Sequence, residues 1–242
     1  MNAIEIANLT KTFKNRIAVH SLNLSIAKGE FFALLGQNGA GKTTTIKMLC
    51  CLLTPTSGDA VLLGDSITKH PAAVKQKLNV SPQETAVAPK LSVRENLELI
   101  AEIYGSSKHQ ARVKADDMIT RFGLSDRAKD KAKTLSGGMQ RRLSIAMALI
   151  SDPEIIFLDE PTLGLDVRAR RELWNVLKEL KGKITIVLTT HYLEEAEALS
   201  DRIGIMHGGK LQALGTVEEL KAKTGSNTLE DAFLMLTEKE VS

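Results

Sequence analysis

Over the first 30 residues apolar and polar side chains alternate, with Ile4 and Ile6, then Val19, Leu22, Leu24 and Ile26 at the apolar positions. A period of two belongs to strands with one face in a core and the other in water, so this stretch predicts an N-terminal layer of antiparallel strands. Further along, the apolar residues gather into short unbroken runs: Phe31 to Leu35, Ile155 to Leu158, Ile184 to Leu188 and Ile203 to Met206. A strand apolar on both faces must be covered on both, so these runs predict a mainly parallel sheet between helices. One covering helix is legible from about Arg168 to Leu180, where Leu173, Val176, Leu177 and Leu180 fall at i, i+3, i+4 and i+7 and the opposite face is charged. Between about 87 and 150 the period is helical throughout. Val93, Leu97, Ile100 and Tyr104 predict one packed face and Val113, Ile119 and Phe122 a second, so the segment reads as a helical insertion between sheet strands. The Gly208-Gly209 pair between two apolar segments predicts a tight hairpin. Leu229, Phe233 and Leu236 lie at i, i+4 and i+7, the spacing of a last helix that caps the core. The expected organisation is one α/β domain over residues 1–220, with the helical insertion at about 87–150, and a short helical extension over 221–242.

Composition narrows the picture mainly by exclusion. With 43% hydrophobic and 25% charged residues in 242, the chain is neither disordered nor fibrous. A net charge of +3 is too weak to argue for a nucleic-acid partner, and 4% aromatic residues cannot furnish a platform for stacking bases. No stretch approaches the ~18 apolar residues that span a bilayer, and the start Met1-Asn2-Ala3-Ile4-Glu5 lacks a secretory pattern, so a cytoplasmic chain is expected. Adjacent Cys50 and Cys51 suit neither a disulfide nor a metal site and are expected to be small buried hydrophobes.

The chemistry begins at Gly36-Gln37-Asn38-Gly39-Ala40-Gly41-Lys42-Thr43, which fits G-x-x-x-x-G-K-[ST] and lies between the Phe31 to Leu35 strand and a helical segment opening with Thr44. Phosphates need many donors in a small space. Glycines let backbone N–H groups turn inward, and the following helix adds the positive end of its dipole. Gly36, Asn38, Gly39, Ala40, Gly41, Lys42, Thr43 and Thr44 are therefore the candidate phosphate-binding residues, with Lys42 as point charge and Thr43 as a hydroxyl for Mg²⁺. At Ile155-Ile156-Phe157-Leu158-Asp159-Glu160 an apolar strand ends in two carboxylates, of which Asp159 suits the metal and Glu160 the attacking water. Together the two motifs point to hydrolysis of a nucleoside triphosphate.

The segment Leu135-Ser136-Gly137-Gly138-Met139-Gln140-Arg141 resembles the signature of ATP-binding-cassette (ABC) ATPases. Gln83, Gly164-Leu165-Asp166 and His191 stand in that family's order, and the resemblance covers nearly the whole chain. It implies a P-loop NTPase core with a mainly parallel sheet, an N-terminal antiparallel β-layer and a helical signature subdomain, with ATP and Mg²⁺ as ligands. By the same resemblance, Ser136, Gly137 and Gly138 face the γ-phosphate of the partner's ATP and Asp166 reaches across the dimer. Gln83 contacts the metal or water, His191 contacts the γ-phosphate, and Phe13 replaces the usual tyrosine that stacks on adenine. One departure is Thr162-Leu163-Gly164-Leu165-Asp166, where many relatives have Ser and then Ala or Gly before Leu-Asp.

With one phosphate loop and one signature per chain, a homodimer or a paired ATPase subunit is implied. The absence of a heptad insertion separates the chain from the chromosome-maintenance relatives. Leu91 to Leu97 and Thr228 to Leu234 look like the ATPase subunits of ABC-2 type exporters, the drug and antibiotic efflux group. That likeness implies an export motor docked to integral membrane permease subunits at the cytoplasmic face of the membrane. A soluble ABC ATPase that remodels a macromolecule, and a module that uses ATP only to dimerise, are the other two readings.

Overall fold

The computed structural model describes residues 1–238; the last four residues of the expected 221–242 extension lie outside the described residues. The alternating start folds as expected into β1 (Asn2–Phe13) and β2 (Arg16–Ala27), paired antiparallel with Ile4 opposite Ile26 and Ile6 opposite Leu24. With β4 (Ser57–Leu62) and β5 (Asp65–Ser66) they make a four-stranded sheet in the order β2-β1-β4-β5. The apolar runs form a second sheet. It contains β3 (Phe31–Leu35), β6 (Leu78–Ser81), β7 (Ile155–Asp159), β8 (Thr185–Thr190), β9 (Arg202–His207) and β10 (Lys210–Gly215), in the order β10-β9-β3-β8-β7-β6. Every pair is parallel except the β9–β10 hairpin. Its turn uses Gly208 and Gly209, both at positive φ, as a two-residue hairpin of this hand requires.

The unbroken runs have the cause expected of them, because β3 is buried along its whole length and its side chains divide between two cores. Phe31, Ala33 and Leu35 face α5 (Gly137–Leu149), α6 (Val167–Lys178) and α7 (Leu193–Leu199). Phe32 and Leu34 face α1 (Lys42–Leu49) and the antiparallel sheet. The sheet is thus sandwiched, and the layers that cover it also carry the candidate chemistry.

Segment 87–150 contains α3 (Val93–Ile103) and α4 (Lys108–Arg121) before α5, with two short 3-10 turns between. Ser92 and Ser107 cap α3 and α4 through reciprocal boxes with Glu95 and Gln110. Two residues depart from their expected faces. Val113 is 58% exposed, since α4 packs through Ala111, Ala115, Met118 and Ile119 and a residue two places after Ala111 points about 200° away. Tyr104 is 50% exposed because it caps the end of α3, where the helical face runs out. Cys50 is buried as expected, but Cys51 is only half-buried because the chain leaves α1 there at positive φ. α2 (Pro71–Lys77) leads into β6, and α8 (Val217–Thr224) and α9 (Leu229–Thr237) follow β10. Leu229 and Phe233 are buried in the core under β3, with Leu236 against it.

Phe157 lies fully buried at the centre of β7, two residues before Asp159. Phe157→Ala is expected to cost about 3–5 kcal/mol in urea unfolding. A loss below about 1 kcal/mol would mean that the sheet is not packed as described.

Candidate active site

The phosphate loop leaves β3 at Gly36 and re-enters regular structure at Lys42, the first residue of α1. Gly39 and Gly41 sit at φ +85° and +106°, and a Cβ on Gly41 would stand 2.6 Å from the Ala18 carbonyl. Only glycine fits there. Gly36 and Ala40 are buried beneath the loop, and Lys42 Nζ donates to the carbonyls of Gly36 (2.7 Å) and Gln37 (3.3 Å). Lys42 Nζ also lies 3.2 Å from Glu160 Oε1, both side chains being almost wholly buried.

Glu160 is held from every side. Its backbone is left-handed at φ 49°, a strained setting for a residue with a side chain, and its N–H donates to both the carbonyl and the hydroxyl of Thr189 at 3.1 Å. Oε1 meets Lys42, and Oε2 lies 2.8 Å from His191 Nδ1, whose N–H donates to the carboxylate. Asp159 Oδ1 accepts from the hydroxyls of Thr43, at 3.1 Å, and Thr189. Thr189 thus spans both carboxylate residues from the neighbouring strand.

These groups border a cavity of about 540 Å³ lined by Phe13, Asn38, Gly39, Gly41, Lys42, Thr43, Thr44, Gln83 and Glu160, together with Arg16 and Ala18. Phe13 is half exposed and carries the Lys11 ammonium 5.2 Å from its ring centroid. Lys11 is itself tied to the Thr54 carbonyl at 2.7 Å. Ser136, Gly137, Gly138 and Asp166 are elsewhere. They line a second cavity, of about 440 Å³, that shares no residue with the first. Ser136 caps α5 by accepting from the Met139 N–H (3.3 Å), and Asp166 caps α6 by accepting from the Ala169 N–H (2.9 Å). Two helix N-termini therefore meet at one place, which favours an anion.

Sequence reading assigns no role to Arg16, which lines the first cavity, or to Arg141, which ends the signature segment and binds the two regions together. The Arg141 guanidinium is buried and donates to four carbonyls: Asp159 (2.8 Å), Pro161 (2.9 Å), Gln83 (3.4 Å) and, in a short bond, Pro82. Burial lowers its pKa to about 10, against the opposing pull of Asp159, Glu195 and Glu160, so it remains a cation at neutral pH. Arg141 stands two residues before the mainly apolar stretch Leu143 to Leu149, and its backbone acceptors are visible only in the fold. Lysine cannot reproduce the planar fork. Arg141→Lys is expected to lower stability by about 1–3 kcal/mol in thermal unfolding by leaving buried carbonyls unpaired, and unchanged unfolding would contradict that role.

Among the described residues there is no group of three or more His, Cys, Asp or Glu able to enclose a metal. A cation at Thr43 and Asp159 would need oxygens from elsewhere.

Residues 19–163 match the family described as ABC transporter. The chain is 42% identical over 228 residues to the daunorubicin/doxorubicin resistance ATP-binding protein DrrA of Streptomyces peucetius, covering 94% of this chain and 69% of that protein. Among solved structures, the ATP-binding subunit of an ABC transporter superposes with a TM-score of 0.87 at 29% identity, over 97% of this chain and 99% of the other. A dimeric post-hydrolysis state of the ATP-binding cassette MJ0796, bound to ADP and Pi, superposes with a TM-score of 0.81 at 29% identity, over 88% and 98%.

Proposed function

The chain belongs to the ABC transporter family as an ATP-hydrolysing subunit, and from that premise we propose that two such cassettes close around two ATP to drive export through separate membrane subunits. The observation that carries the reading is the separation of two anion sites within one chain. The phosphate loop and the Ser136 helix start cannot both hold one triphosphate unless a second cassette supplies the missing half. Leu163 and Val167, 40% and 66% exposed, flank Asp166 and offer apolar surface for that closure.

In this reading Lys42 and the loop amides hold the β- and γ-phosphates, and the face of Phe13 opposite Lys11 takes the base. Glu160 orients the attacking water and accepts its proton, while His191 fixes the carboxylate and faces the γ-phosphate. The donor set at Thr43 and Asp159 is all oxygen and fits Mg²⁺, which shares its shell with phosphate oxygens and water, and Gln83 adds an amide oxygen at the same cavity. When bound, Mg²⁺ supplies charge neutralisation at the transferred phosphoryl group.

No helix among the described residues is long and apolar enough to cross a membrane, so a pore would be built by other chains. Leu99, Ile103 and Tyr104 are exposed on α3, and Tyr104 borders a small groove with Pro82 and Ala86, beside Gln83. That surface suits a permease subunit that acts on Gln83 from the cytoplasmic side. The resistance function in the name of the relative DrrA supports export as the direction.

Glu160→Gln tests the reading, since the amide keeps the shape and cannot take a proton. Turnover should fall about 10²- to 10⁴-fold while ATP binding persists, and an ATP-dependent dimer should accumulate in light scattering. Near-normal turnover would remove Glu160 from the role of base.

A further inference from the structure

Behind the reacting groups lies a carboxyl that the hydrolytic scheme does not use. Glu195 on α7 has no exposed surface. Trp174 of α6 donates its indole N–H to Oε1 at 3.1 Å, and the hydroxyls of Thr162 and Thr190 lie beside the carboxyl. Its Oε2 and the Thr162 Oγ1 are both buried without a partner of hydrogen-bond geometry. Each neighbour belongs to a different working segment. Thr162 comes two residues after Glu160, Thr190 immediately precedes His191, and Trp174 is on the helix that Asp166 caps.

We propose that Glu195 is a positioning residue that ties these three segments together, so that Glu160, His191 and Asp166 hold one common geometry during hydrolysis. The proposal rests on the hydrolytic reading above. Glu195 forms no ion pair among the described residues; the charged groups that bear on it are Arg141 from α5 and Glu160 from the end of β7. Burial, aided by Glu160, pushes its carboxyl above the ordinary range, although Thr190, Thr162 and Trp174 pull the other way. Oε1 accepts from the indole, and a threonine hydroxyl can serve the other oxygen by donating to a carboxylate or accepting from a carboxyl. An amide keeps an acceptor oxygen for the indole and puts N–H donors in place of the other oxygen, within reach of a threonine hydroxyl. An alanine does not.

The test compares Glu195→Gln, Glu195→Ala and Trp174→Phe in the full chain, with ATP and Mg²⁺. Glu195→Gln should keep turnover within about threefold, since the amide keeps the shape, the acceptor for the indole and a donor for a threonine hydroxyl. Glu195→Ala should lower kcat about ten- to a hundredfold with KM for ATP unchanged, and Trp174→Phe should move kcat in the same direction. Trp174 is the single tryptophan in the chain, so its emission reports on the carboxyl directly. ATP should shift that emission in the unmodified chain and in Glu195→Gln, but not in Glu195→Ala. Three results would overturn the proposal: normal kcat in Glu195→Ala, a kcat loss matched by equal losses of ATP affinity and unfolding temperature, or a glutamine variant as impaired as the alanine one. If Glu195→Ala does not fold, Trp174→Phe decides, since unchanged kcat there has the same force. Glu160→Gln run alongside separates the two levels of argument. An active Glu160→Gln sinks the hydrolytic reading itself, whereas an inactive one beside a normal Glu195→Ala sinks this proposal alone.

Discussion

The parallel register of the central sheet sets Leu35 beside Thr190, Asp159 beside Thr189 and Ser81 beside Leu158. Strands β3, β8, β7 and β6 therefore end at one edge, and each hands the chain to a loop that bears a polar group: Gly36 to Lys42, His191, Glu160 and Gln83. Ligands of parallel α/β sheets sit outside the carboxyl ends of their strands because that edge is where such groups converge. The segments that meet there are spread along the chain from Gly36 to His191, so no local feature could have assembled them. The two-sided burial that produces the unbroken apolar runs is the same fact seen from the core.

The edge concentrates charge as well as geometry. Lys42 and Arg141 are buried cations, and Asp159, Glu160 and Glu195 are buried acids around them. Lys42 is neutralised by direct contact with Glu160, whereas Arg141 is satisfied by backbone carbonyls and only at longer range by carboxylates. The first arrangement leaves a cation that a phosphate can compete for. The second leaves a fixed strut between α5, the Gln83 segment and the end of β7.

Much of this was legible in the sequence because it rests on local pattern. Alternation gave the β1–β2 pair, unbroken runs gave the parallel strands, and the Gly41-Lys42-Thr43 chemistry has a fixed spacing between strand and helix. The failures share a cause too. Spacing alone places Val113 and Tyr104 on packed faces, but α4 buries Ala111, Ala115, Met118 and Ile119, and α3 stops at Tyr104. Arg141, Thr189 and Glu195 carry no local mark of their roles, since their significance lies in what they touch across the fold. A buried arginine bonded to carbonyls leaves no second residue in the sequence to mark it.

In the proposed dimer each ATP site is built by two chains. Mixing two disabled variants tests this directly: Lys42→Ala, which spoils the phosphate loop, and Gly137→Asp, which places an anion where the γ-phosphate should lie. A Cβ at Gly137 meets nothing within 4 Å, and an acid in the first turn of α5 suits the helix dipole, so the second variant should fold. Each alone should be inactive, since in either homodimer both sites lack a part. In an equal mixture about half of the dimers pair one chain of each kind and carry one whole site, so ATPase activity should recover to about a quarter of the unmodified level. Activity no greater than the sum of the two variants, with mixed dimers present, would contradict a site shared between chains.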